Sequence, residues 1–211
     1  MLSLLFENPV IFVIWVLAIL VALSVHEFSH ALMGTLLGDP TAKRLGRLTL
    51  NPVKHIDPFG LMALVTVGFG WGKPVPYNPY NLRDQTWGPV KVALAGPAMN
   101  LVVAILLGLA LRILSPLLGE GNLLSQFLYL CVFLNVALLL FNLLPIPPLD
   151  GSKLLLAFLR GPDAMRARVW LETRGPWLLI MLIVGDMVLG LGVFRALFRL
   201  TTGFISLVVG V

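Results

Sequence analysis

His26, Glu27 and His30 stand in the apolar stretch LVALSVHEFSHALMGTLLG, residues 20–38. Together they form the pattern H-E-x-x-H. Residues four apart share one face of a helix, so both imidazoles can reach the same divalent cation. The glutamate beside them can take a proton from a water that such a cation acidifies. Ionisable groups are costly inside a bilayer and stand there for a reason. The rival account is a polar cluster that pairs helices or relays protons. A catalytic zinc takes three protein ligands and keeps a fourth position open, so a third ligand has to come from elsewhere. Asp150, in FNLLPIPPLDG (141–151), is the candidate. Pro145, Pro147 and Pro148 forbid regular helix before it. Its competing role is the N-cap of a helix over 151–160.

The elements that must position these residues are membrane spans. The chain has 211 residues, 58% hydrophobic and only 12% charged, against about 25% charged in soluble domains. Apolar runs cover 9–38, 92–111 and 122–144, and a fourth, 175–194, is interrupted by Asp186. The tail 200–211 either lies in the interface or completes a hairpin. The expected fold is an all-α polytopic membrane protein. It has a core of three transmembrane helices plus a C-terminal helix or hairpin. FGLMALVTVGFGWG (59–72) is too short to cross, and GWGKPVPYNPYN (70–81) is rich in Gly, Pro and Asn. A re-entrant or short β-strand segment is therefore expected around 59–81. One domain over 1–211 is expected, with a motif-bearing core at about 9–160 and C-terminal membrane segments at 175–211. Cys131 in its apolar run reads as core packing. The N-terminus lacks the basic region of a cleavable signal.

The formal net charge of +5 sits in loops between apolar runs, which points to membrane topology rather than nucleic acid. Lys43, Arg44, Arg47, Lys54, Lys73, Arg83 and Lys91 lie between the first two runs. Lys153, Arg160, Arg166, Arg168 and Arg174 precede the fourth, and only Arg112 lies between the second and third. The positive-inside rule puts the two basic loops in the cytoplasm and the N-terminus outside. His26 lies about 24 Å along its helix from Val10, near the cytoplasmic end.

HEFSH on the first run, GPAMN (96–100) on the second and N-x-x-P-x-P-x-L-D-G (142–151) after the third resemble the site-2 protease family. These are zinc intramembrane metalloproteases. AKRLGRLTLNPVKHIDPFG (42–60) and GKPVP (72–76) resemble its compact microbial branch, without PDZ-like or CBS-like modules. The resemblance implies one Zn²⁺ per chain held by His26, His30 and Asp150, with Glu27 as general base and later proton donor. It implies that Asn142 holds or polarises the scissile carbonyl, although asparagine also bonds helices together in lipid. Asn100 has the same two readings. His55 is a candidate gate residue or alternate ligand, where an ordinary loop histidine faces solvent. Lys73, Pro74 and Val75 lie in the non-helical stretch that is the candidate edge for an extended substrate.

The expected activity is hydrolysis of peptide bonds within or near transmembrane segments of membrane proteins, as in regulated intramembrane proteolysis. The expected surroundings are the bilayer of the cell membrane, with the site toward the cytoplasm. A metal or proton transporter and a non-catalytic binder of membrane segments are the alternatives. A transporter would show repeated architecture or a continuous polar path, and here the polar groups cluster near one end.

Overall fold

The structure is a computed structural model that describes residues 2–68, 70–119, 121–159 and 162–210. Arg160, counted above among the basic residues, lies outside them. The helices are α1 (Leu2–Glu7), α2 (Pro9–Leu36), α3 (Thr41–Arg44), α4 (Pro58–Val67), α5 (Gly88–Leu118), α6 (Leu123–Asn142), α7 (Gly151–Phe158), α8 (Pro162–Leu189) and α9 (Val193–Val209). There is no sheet among the described residues, and α2, α5 and α6 are each long and apolar enough to cross a membrane. The expected all-α polytopic architecture is the one observed.

Local sequence explains where the spans begin. Asn8 accepts a hydrogen bond from the Ile11 amide at 3.1 Å, and Pro9 fills the first turn of α2, where its missing N–H costs nothing. Asn122 starts α6 in the same way, accepting from the Leu124 amide at 2.8 Å.

The segment around 59–81 is, among the described residues, a short helix followed by chain outside helices and sheets, apart from one 3₁₀ turn at Pro79–Asn81. Asp57 caps a ten-residue helix by accepting from the Gly60 amide at 2.8 Å, with Pro58 in the first turn. Gly68 ends it in the left-handed region at φ 84°. The strand character reduces, among the described residues, to one antiparallel bridge between Ile56 and Gly72. Beyond it residues 73–78 form neither helix nor strand. A proline-rich sequence lacks the donors a ladder needs.

The C-terminal region is a helix pair. Met165–Leu189 and Val193–Val209 meet the criteria for a span together, with a bend of 91° between them. Asp186 sits at that bend. Its carboxylate accepts from the amides of Val193 at 2.7 Å and Phe194 at 3.3 Å, capping α9. That bonding gives partners to the charge that interrupts the fourth apolar run.

Helix α5 is central, with α2 and α6 packed on it and α9 against α5 and α6. Ala18, Ala22, His26 and His30 recur every four residues along one buried face of α2. Small side chains there let backbones approach, which is how helices associate where lipid is as apolar as leucine. Ala104, Leu111, Leu128, Val132, Val136, Ile205 and Val209 form the apolar core between α5, α6 and α9.

Candidate metal centre

The cluster is built by three segments. His26 and His30 come from one face of α2. Asp150 arrives at the start of α7, which packs on α5. Gly151 makes that arrival possible: a Cβ there would lie 2.2 Å from the Leu143 carbonyl oxygen, so only glycine lets the chain fold back on the end of α6. Gly96 on α5 does the same for the imidazoles. A Cβ at 96 would lie 2.5 Å from His30 Nε2 and 2.7 Å from His26 Cε1.

His26 Nε2 and His30 Nε2 are 3.0 Å apart, and Asp150 Oδ2 lies 3.2 Å and 3.4 Å from them. The other ring nitrogens decide the protonation pattern. His30 Nδ1 faces the Val92 carbonyl at 2.8 Å, which can only accept, so Nδ1 carries the proton. His26 Nδ1 faces Asn100 Oδ1 at 2.6 Å. The orientation of that amide is fixed, because Asn100 Nδ2 donates to the Ala22 carbonyl at 3.1 Å and to Asn135 Oδ1 at 2.7 Å. Asn135 Nδ2 in turn donates to the Cys131 carbonyl at 2.8 Å. A polar relay thus runs from α6 through α5 to His26, anchored on backbone carbonyls, and all three side chains are buried.

In the neutral rings both Nε2 atoms therefore present lone pairs to each other and to a carboxylate oxygen. Asp150 Oδ2 is fully buried with no hydrogen-bond partner, and its side chain makes no capping bond to α7. Three converging lone pairs repel one another unless a proton or a metal cation sits among them. A tetrahedral ion with bonds of about 2.0–2.1 Å sets its ligand atoms about 3.3 Å apart, close to the separations found. Two imidazoles and a carboxylate are a donor set of catalytic zinc. Among the described residues, His26, His30 and Asp150 are the group able to hold a metal ion.

Glu27 follows His26 on α2 and is buried. Its Oε2 accepts from the Val75 amide at 3.2 Å. Val75 is thus the member of the 73–75 stretch that touches the site, while Lys73 and Pro74 offer their carbonyls to Arg47. His55 does not join the metal cluster. It is buried rather than solvent-facing, bonded to Thr49 and beside Arg47. Asn142 ends α6, with Nδ2 donating to the Leu138 carbonyl at 3.0 Å. Tyr77 on the covering stretch is half-buried, and burial pushes its phenol above its ordinary pKa, with Glu172 and Asp150 adding and Arg168 opposing.

Comparison with known proteins follows the same lines. A sequence profile of peptidase family M50 matches residues 118–182. The chain is 40% identical over 160 residues to YwhC of Bacillus subtilis, covering 73% of this chain and 72% of that protein. It belongs to peptidase family M50, the site-2 protease family. It is also similar to Rip2 of Mycolicibacterium smegmatis, 34% identical over 180 residues, covering 82% of this chain and 68% of that one. With Rip2 of Mycobacterium tuberculosis H37Rv it shares 36% identity over 162 residues, or 74% of this chain and 61% of that one. The names of all three relatives propose a zinc metalloprotease. No solved structure matches. Membership in M50 sets the reaction class as proteolysis, carried out by a membrane protein.

Asn135 and Arg47 are absent from the sequence expectations. Asn135 was signalled only as a lone amide in an apolar run, and Arg47 only as one loop cation among seven.

Proposed function

We propose that this M50 peptidase is an intramembrane zinc endopeptidase that hydrolyses peptide bonds within or near transmembrane segments, from a site toward the cytoplasmic face. The observation that carries this reading is the convergence of His26 Nε2, His30 Nε2 and buried, unpartnered Asp150 Oδ2 at the depth of three apolar helices. These residues would hold the ion. Zinc, when bound, supplies a Lewis acid for a carbonyl and raises the acidity of water.

The protein groups do the rest. Glu27 takes a proton through its free oxygen and returns it to the leaving amine. Asn142 has one amide hydrogen committed to Leu138, and the second is available to a substrate carbonyl that develops negative charge. Asn100 orients His26 rather than touching substrate. The non-helical 73–78 stretch, next to Glu27, is the place for an unwound substrate to lie. The relatives' names support zinc, and the spread of basic residues supports a cytoplasmic site.

The test uses full-length protein in detergent. The parent should hold about one zinc per chain, and Asp150→Asn should lose it. Glu27→Gln should keep the zinc while cleavage of a tagged single-span membrane peptide falls by about 10²–10⁴-fold. A parent that takes up no zinc on resupply, or a Glu27→Gln variant that cleaves normally, would overturn the proposal.

A further inference from the structure

Arg47 is a buried guanidinium outside the metal cluster. Its Nη2 donates to the Lys73 carbonyl at 2.5 Å and its Nη1 to the Pro74 carbonyl at 3.1 Å. Nη2 also faces His55 Nδ1 at 3.4 Å. His55 gives its Nε2 proton to the Thr49 carbonyl at 2.7 Å, which leaves Nδ1 as the acceptor. The Lys73 amide closes the ring on the His55 carbonyl at 2.8 Å. Two residues beyond Lys73, the Val75 amide donates to Glu27 Oε2.

The far end of the stretch is held as well. The Asn78 amide donates to Asp39 Oδ2 at 2.7 Å, and Asn81 Nδ2 donates to Asp39 Oδ1 at 2.9 Å. Asp39 is buried just past the end of α2. Residues 73–78 are therefore pinned at both ends by buried charges, and their middle rests on Glu27. Pro74 and Pro76 flank Val75, so it carries the one amide hydrogen in 74–76. The prolines also restrict the backbone that aims it. Glu27 Oε1 has no protein partner among the described residues, so the carboxylate has one anchored oxygen and one free.

We infer that Arg47 is a positioning residue for Glu27. By clamping the carbonyls of Lys73 and Pro74 it holds the Val75 amide on Oε2, and so fixes Oε1 as the oxygen that exchanges protons. This rests on Glu27 being the base proposed above. A fork with two parallel donors suits two successive carbonyls, and a lysine ammonium cannot reproduce it. The negative charge of Glu27 also favours the charged guanidinium, against burial that pushes the Arg47 pKa down.

Amide hydrogen exchange tests the brace on zinc-loaded, full-length protein in detergent, with or without a known substrate. In the parent, the Val75 amide should exchange at least about tenfold more slowly than the unpartnered Tyr77 amide. Arg47→Lys should abolish that difference while zinc stays at one per chain. Glu27→Ala should release Val75, and Glu27→Gln, whose amide oxygen still accepts, should keep it protected. A parent Val75 that exchanges as fast as Tyr77, or an Arg47→Lys variant with undiminished protection, would overturn the inference. A second arm separates positioning from folding. On a tagged single-span peptide, Arg47→Lys should lower kcat about tenfold or more, with KM within about twofold. An unchanged kcat, or lost activity that tracks lost zinc, would also overturn it. Failure of the parent to cleave in a Glu27-dependent way would instead count against the proposed function, and the exchange result would still decide the brace.

Discussion

The bundle of α2, α5 and α6 and the later part of helix α8, from Gly175 onward, both carry long apolar runs, and they are held in opposite ways. The bundle buries small residues along α2 and links its helices through His26, Asn100 and Asn135. Helix α8 makes only sparse contact with other elements. Trp177, Met181 and Met187 are 65%, 68% and 76% exposed, and Leu179 is its one buried large apolar side chain among those described. Its attachments are local: Gly175 against Pro147, Glu172 with Lys153 at 3.6 Å, and Asp186 capping α9. The difference teaches that hydrophobicity does not decide which helices are firmly joined in a membrane. Lipid solvates an apolar face as well as a neighbouring helix does, so close approach and buried hydrogen bonds make the distinction.

The comparison can be broken at its tight end first. Gly96→Ala puts a methyl group where the imidazoles are, an overpacking strain of about 1–3 kcal/mol. Zinc affinity should fall by up to about 100-fold, read by competition with a chelator. Unchanged affinity would mean that the bundle has slack there. Asn100→Ala removes the partner that orients His26 and should weaken zinc by about 10–100-fold, as loss of such partners does elsewhere. Asn135→Ala acts one step further out and removes one interhelical bond of about 0.6 kcal/mol. It should weaken zinc by only a few-fold, and an effect equal to that of Asn100→Ala would show that the relay acts as one unit.

At the loose end, Asp186→Ala should destabilise the start of α9 by about 1 kcal/mol, read as faster amide exchange there. Zinc affinity should not change, and if it does, the two regions are coupled. The smallest effect is expected from pH. Burial alone would raise the Asp39 pKa, but hydrogen bonds from Thr41, Asn81 and Asn78 outweigh it and hold the carboxyl below its ordinary value. A depressed native pKa stabilises above the unfolded value of about 3.9 and is lost as pH falls through the native one. The stability difference between the parent and Asp39→Asn should therefore be constant from neutral pH down to about 5 and shrink below it.

The sequence was readable where a residue type carries its own chemistry. H-E-x-x-H at helical spacing pointed to a face able to hold a metal ion, and the proline run with Asp-Gly pointed to Asp150, which the fold brings beside both histidines. The spans were legible because a bilayer demands long uncharged runs. In the 59–81 region the short apolar piece was legible and the proline-rich part was rightly kept out of helix, while the start of α4 rests on the cap signal Asp57-Pro58, which composition alone does not single out. His55 was a candidate gate residue or alternate ligand, and one loop histidine says nothing of the arginine packed beside it. Arg47 was counted for topology alone. Its role depends on where the chain returns 26 residues later, at Lys73, and no local pattern encodes that return.

The amide relay has a mechanical consequence. One hydrogen-bonded chain joins α2, α5 and α6, so none of the three can slide by even one residue, about 1.5 Å, without breaking it. A change in bilayer thickness is ordinarily absorbed by helices shifting and leaning separately. Here it has to be absorbed by the bundle leaning as a single block, or by the 91° elbow between α8 and α9 opening or closing. The placement of His26 against α5 and α6 is thereby insulated from the thickness of the membrane around it.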